Sequence, residues 1–151
     1  MAKVFTNGCF DLLHVGHVSL LKYCHELSGP FGEVIVGVND DFSVTMLKGL
    51  HRPIVPQEQR VYMIESLRCV DGVYLFSEPT PYKLIKRLKP DIIVKGPDYL
   101  GKENEVVGAD LAYVNIFTGS EDDRGFDRQS TTNIIVDAGL AYIEEHGIIR
   151  S

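Results

Sequence analysis

Phe5-Thr6-Asn7-Gly8-Cys9-Phe10-Asp11-Leu12-Leu13-His14-Val15-Gly16-His17-Val18-Ser19-Leu20-Leu21 is the stretch that decides the fold. The run that leads into it, Lys3 to Thr6, is short and β-prone and is stopped by Asn7-Gly8, whereas Val15 to Leu27 carries apolar residues at helical spacing. The two halves therefore meet at a strand-to-helix turn. His14 and His17, three apart, fall on one face at the helix start. There the unpaired N–H groups and the positive end of the helix dipole stabilise an anion, so two imidazoles at this place aim at a phosphate. Zinc is the competing reading, since Cys9, His14, His17, Cys24 and His25 are all ligand types. Cys9 and His14 straddle the turn, however, and no Cys-x-x-Cys pair exists to close a tetrahedral site, so no metal is assigned to protein side chains.

Outward from this turn, strand and helix patterns alternate. Val4–Thr6, Val34–Val38, Val73–Phe76 and Ile92–Val94 are short, β-branched runs with little alternation, as expected of strands buried on both faces of a parallel sheet. A fifth strand is predicted at Tyr113–Thr118. Helical patterns run from His14 to Leu27, Asp40 to Leu47, Pro56 to Leu67 and Pro81 to Leu88. Ser130 or Thr131 caps a last helix that reaches about Glu145, with Gly147 as its stop. The expected architecture is α/β: a single Rossmann-like, three-layer domain over residues 1–151, with a five-stranded, mainly parallel sheet. In such sheets ligands bind beyond the carboxyl ends of the strands. Asn7–His17, Val38–Asp41, Lys95–Asp98 and the polar loop Gly119–Gln129 that ends at Ser130 should gather on that edge.

Composition narrows the partners. The 151 residues, 44% hydrophobic and 24% charged, fit one globular domain. No apolar run is long enough for a membrane span and no signal-peptide pattern opens the chain, so a cytoplasmic protein without membrane association is expected. Three cysteines, Cys9, Cys24 and Cys69, read as small buried hydrophobes in a reducing compartment. A net charge of −6 with no basic stripe argues against nucleic acid and leaves room for a small phosphorylated ligand met by a few local cations.

The glycines form neither a Walker loop nor a G-x-G-x-x-G fingerprint. Gly8, Phe10 and Asp11, followed by His14, Gly16 and His17, instead resemble the paired G-x-F-D and H-x-G-H signature of the nucleotidyltransferase superfamily that makes nucleotide-activated sugars, polyols and lipid head groups. Ser130-Thr131-Thr132, followed by Asn133-Ile134-Ile135, resembles that family's second signature, and Lys48-Gly49, Arg52-Pro53 and Arg60 resemble its segment of cations over the phosphates. Lys95-Gly96-Pro97-Asp98-Tyr99 is similar to the Lys-Gly-Gly-Asp-Tyr stretch of bacterial heptose-phosphate adenylyltransferases, so the resemblance is strongest to the adenylyltransferase domain of the bifunctional ADP-heptose synthesis enzymes. Three departures stand out. Pro97 replaces a glycine, residues 119–129 form a longer loop with Glu121, Asp122, Asp123, Arg124, Asp127 and Arg128, and Arg68 before Cys69-Val70-Asp71 is similar instead to the cytidylyltransferases of glycerol 3-phosphate and choline phosphate.

The resemblance implies attack by an acceptor phosphate on the α-phosphorus of a nucleoside triphosphate, with pyrophosphate leaving and Mg²⁺ accompanying the nucleotide. It implies His14, His17 and Lys48 as catalytic residues, and Thr6, Asn7, Gly8, Cys9, Phe10, Asp11, Gly16, Lys95, Gly96, Asp98, Ser130, Thr131 and Thr132 as the nucleotide site. Arg60 and Arg68 would meet the acceptor or its phosphate; without the resemblance both read as solvated helix faces. Asp11 either caps the helix or orients the site. The protonation of His14 and His17 stays open, because the helix dipole lowers an imidazole's pKa while phosphates raise it. The expected partners are a nucleoside triphosphate, ATP by preference, and a phosphorylated sugar such as heptose 1-phosphate, in a homodimer. The length leaves no room for the kinase of the bifunctional relatives, so a separate kinase is expected to supply the phosphosugar. The alternatives are CTP with glycerol 3-phosphate or another alcohol phosphate, and a catalytically silent nucleotide-binding module.

Overall fold

The strand nearest the decisive turn, β1 (Lys3–Gly8), pairs in parallel with β2 (Glu33–Asn39) on one side and with β4 (Ile92–Lys95) on the other. Beyond these lie β3 (Gly72–Phe76) and β5 (Tyr113–Ile116), giving the order β3-β2-β1-β4-β5 with every pairing parallel. This computed structural model describes residues 1–119 and 130–147, and within them the helices are α1 (Val15–Ser28), α2 (Asp41–Lys48), α3 (Gln57–Glu65), α4 (Tyr82–Leu88) and α5 (Thr131–His146).

The absence of alternation in the strand sequences has a direct cause, which is that both faces are covered. Val4, Val34, Val36, Val38 and Val94 point to one side, where they pack with Leu21 and Cys24 of α1 and Ile64 of α3. Phe5, Ile35 and Ile93, one step along each strand, point to the other side and pack with Leu84 and Ile85 of α4. Each strand thus feeds two cores. Gly37, in the middle of β2, is part of the fit: a Cβ there would come within 2.9 Å of the Phe5 ring.

Three boundaries differ from expectation in ways that matter. The first helix begins at Val15, not His14, because His14 is extended (φ −139°) and acts as the N-cap. The third spans Gln57–Glu65 with Pro56 as its cap residue. The last strand stops at Ile116, where Phe117 turns into the core. The loop expected at Gly119–Gln129, with its six charged residues, falls outside the described residues from position 120 onward.

Candidate active site

Beyond β1 the backbone turns sharply. Phe10 takes a left-handed conformation (φ 49°), a costly choice for a residue with a side chain, and it drives its ring into the core against His17, with ring centroids 5.0 Å apart. Gly8 makes the bend possible at close quarters, since a Cβ there would stand 3.2 Å from the Phe10 ring. The Asp11 side chain is fully buried and does not cap the helix. Its carboxylate accepts from the N–H groups of Ile54 and Val55 and from Arg52 Nε at 2.7 Å. Burial alone would raise this carboxyl; the two N–H groups and the guanidinium outweigh it and hold the acid below its ordinary value. The helix cap is His14 instead, and the Asp11 carboxylate ties the α2–α3 connection to the β1 turn.

The histidine pair makes an unusual cap. His14 Nδ1 accepts from Gly16 N–H at 3.1 Å, and His17 Nδ1 accepts from His14 N–H at 3.3 Å, a reciprocal capping box built from two imidazoles. The rings stack with centroids 3.7 Å apart and planes 26° apart. With both Nδ1 atoms accepting, each neutral ring carries its proton on Nε2. Burial, and then the neighbouring His14, push His17 down to about 4; burial also lowers His14. The two Nδ1 acceptors and the lowered pKa values both favour neutral rings, each with one N–H to donate at a helix N-terminus.

On the far side of β1, Thr6 Oγ1 donates to Val94 O, and Lys95 Nζ donates to Asn7 Oδ1 at 2.6 Å. Burial pushes the Lys95 ammonium down to about 8. Gly96 precedes a 3-10 turn over Pro97–Tyr99 that contains Asp98, with Pro97 at its first position. Ser130 caps α5 by accepting from Asn133 N–H, and Thr131 Oγ1 donates to Leu12 O, which brings the α5 start to the β1–α1 turn; Thr132 is exposed in the same first turn. Lys48 ends α2 with its side chain exposed, and its charge acts on the Cys9 thiol, whose pKa burial nevertheless raises.

Arg60 and Arg68 stand elsewhere than expected. Arg60 is 1% exposed, and its guanidinium donates to Val55 O, Cys9 O, Asn39 O and Asp41 Oδ1, so it braces the loops from within instead of presenting itself as a solvated face or to a phosphate. The helical pattern could not separate these fates because α3 is amphipathic only weakly and Arg60 lies on its inner side beside Ile64. Arg68 precedes β3, at the amino edge of the sheet, and lines a surface groove with His25 and Glu26 of α1. It is not gathered with the histidines. From sequence, Asn39 is only part of the Val38–Asp41 edge stretch, with no role of its own; in the structure its carbonyl receives Arg60 and its Oδ1 lies 4.0 Å from Cys9 Sγ. The signal was present in Asn39-Asp40-Asp41, a polar run directly after the apolar stretch Val34–Val38. Among the described residues no three His, Cys, Asp or Glu side chains are grouped to hold a metal ion, and no helix is long and apolar enough to cross a membrane.

The all-parallel sheet, with two histidines capping the helix that follows its first strand, is an α/β fold of Rossmann-like form, and residues 5–121 match the cytidylyltransferase-like family. The chain belongs to that family and is a nucleotidyltransferase. Bifunctional protein HldE of a Nitratiruptor species is 60% identical over 110 residues, which are 72% of this chain and 22% of that protein. HldE of one Helicobacter pylori strain is 56% identical over 110 residues, 72% and 23% of the respective chains. The chain thus spans less than a quarter of the length of these relatives. The crystal structure of a lipopolysaccharide core biosynthesis protein from Thermoplasma volcanium superposes with a TM-score of 0.64 at 28% identity, covering 79% of this chain and 98% of that one.

Proposed function

We propose that the chain transfers the nucleoside monophosphate of ATP to the phosphate of a sugar such as heptose 1-phosphate, the nucleotide-activating step toward an ADP-heptose. A phosphate oxygen of the acceptor forms the new bond to the α-phosphorus; the bond to the bridging oxygen breaks, and pyrophosphate departs with the electron pair. The acceptor is already anionic, so no general base is required, and no covalent enzyme intermediate forms. The protein's work is to bring two anions together and to stabilise charge that builds on the α-phosphate and leaving group.

The observation that carries this reading is the double-histidine cap. Both Nδ1 atoms are engaged by the backbone, which pre-orients two Nε2–H donors at the positive end of α1 without cost at the moment of reaction. Thr131 and Ser130 start a second helix beside the first, suited to the remaining phosphates. Lys48 contributes an exposed charge at the end of α2. Mg²⁺ accompanying the nucleotide would supply charge neutralisation at its phosphates. The donor set agrees with an ion held by substrate, because Asp11 is fully engaged by Arg52, Ile54 and Val55. The same proposal includes a homodimer, checked by sedimentation. Arg68, the residue that favoured CTP and an alcohol phosphate, lies by α1 at the amino edge of the sheet.

The test is pyrophosphate release with ATP or CTP paired with heptose 1-phosphate or glycerol 3-phosphate. Turnover confined to ATP and the phosphosugar is expected. Turnover with CTP and glycerol 3-phosphate would replace this reading by its cytidylyl variant, and nucleotide binding with no release in any pairing would make the chain a silent binding module.

A further inference from the structure

Lys95 closes β4 and Asn7 stands next to last in β1; in the order β3-β2-β1-β4-β5 the gap between these two strands is where the winding reverses, the place where an open α/β sheet admits its ligand. The ammonium donates to Asn7 Oδ1 at 2.6 Å and lies 5.8 Å from the Tyr99 ring centroid. Neither partner is an anion, and among the described residues no carboxylate pairs with Lys95. Desolvation is the sole cause of its lowered pKa. A half-buried cation with no counter-charge among the described residues is an expense that a fold retains where a ligand supplies the anion.

Strand parity shows from which side that anion is approached. Val4 and Val94 face the core under α1 and α3, while Phe5 and Ile93 face the core under α4. Counting two residues on from Phe5 and Ile93, Asn7 and Lys95 stand on the α4 side, and the histidine pair, at the start of α1, stands on the other. The β1–β4 gap at the sheet edge is thus flanked by the histidine pair on one face and by the Lys95 ammonium on the opposite face.

We propose that Lys95 is the counter-charge to the phosphate under attack, reaching it from the sheet face opposite the histidine pair. Asn7 is its positioning residue, holding the ammonium in place before the nucleotide arrives. Two neutral imidazoles can order the α-phosphate oxygens but add no net charge; the ammonium supplies it as negative charge grows in the transition state. The inference rests on the proposed nucleotidyl transfer and is tested partly apart from it.

The test combines two measurements. On the wild-type chain, each lysine is acetylated at pH 8 with and without α,β-methylene-ATP and Mg²⁺, and the labelled positions are quantified by mass spectrometry. Protection of Lys95 by fivefold or more is expected, and equal labelling in both conditions overturns the proposal. In parallel, Lys95→Met should lower kcat by about a hundredfold, the scale of losing one preorganised charge-stabilising group, while the Kd of the analogue changes less than threefold. Lys95→Arg should restore part of the rate. A Lys95→Met variant that keeps kcat and only weakens nucleotide binding overturns the proposal as well. If the wild type releases no pyrophosphate with any substrate pair yet the analogue still protects Lys95, nucleotidyl transfer fails while the place of Lys95 beside the nucleotide stands.

Discussion

Two helix N-termini meet at the site, and they are held in opposite ways. The α1 start is locked from every side: its cap is made by two stacked imidazoles, Phe10 props His17 from the core, and Leu21 and Cys24 are fully buried one and two turns on. At the α5 start, among the described residues, Ser130 caps the helix and the Thr131 hydroxyl donates to Leu12 O, and no residue of the helix is buried; Val136, Leu140 and Tyr142 are more than half exposed. Helices draw most of their stability from a packed face, so the first is positioned by the fold and the second by its cap contacts. Among the described residues the two helix starts thus differ in anchorage, the first set in a packed core and the second followed by a helix with no buried residue. The chemistry should reside in the first and nucleotide affinity in the second.

The sharpest way to break this division is His17→Ala. Removing one preorganised donor should lower kcat by roughly a hundred- to a thousandfold, with the circular dichroism spectrum unchanged. Near-normal turnover in the folded variant would move the chemistry away from α1. Next in size is Arg60→Met. Its guanidinium holds Cys9 O, Asn39 O and Val55 O, so the loss should cost on the order of 3 kcal/mol, read as a lower denaturant midpoint. A change below about 1 kcal/mol would mean that the β1 turn holds its shape without this brace.

The neutrality of the histidine pair makes a pH prediction of similar size. His17 titrates near 4 in the folded chain and near 6.5 when unfolded, so between these values the unfolded chain binds the extra proton. The stabilisation is complete above about pH 6.5 and is lost as pH falls toward 4, up to about 3 kcal/mol. Thermal melts of the wild type should therefore decline over that window, and His17→Gln should flatten the decline. An equal slope in the variant would show that His17 is not held neutral. The Asp11 carboxyl is lowered instead, so its stabilisation is present above its ordinary value of 3.8 and is lost only as pH falls below it, outside most of the histidine window.

The anchored end was also the legible one. Asn7-Gly8, the β-branched run before it and the apolar spacing after it revealed the strand, turn and helix, because local periodicity carries that information. Sheet parallelism followed from strands apolar on both faces. Side chains whose partners are distant in sequence stayed hidden. Asp11 could be a helix cap until Ile54 and Val55, more than forty residues away, came to it, and Arg60 looked like surface charge until Cys9 and Asn39 closed around it. Tautomer assignment needed geometry of another kind, since no residue spacing distinguishes Nδ1 from Nε2.

The smallest expected effect probes the loosely held end. Ser130→Ala removes the cap from Asn133 N–H, worth about 1 kcal/mol to a helix start. In α1 such a loss would be spread over a buried helix; in α5 it falls on a segment with no buried residue and so should appear locally. Amide exchange at Thr132 and Asn133 should quicken about fivefold, while core strand amides such as those of Val36 and Val94 keep their protection. Turnover should follow the same division: the nucleotide KM rises several-fold and kcat changes less than twofold, because the α1 donors remain in place. A variant that instead loses kcat at unchanged KM would show that the α5 start shares in stabilising the reacting phosphate, and the two helix ends would then form one catalytic unit in spite of their unequal anchorage.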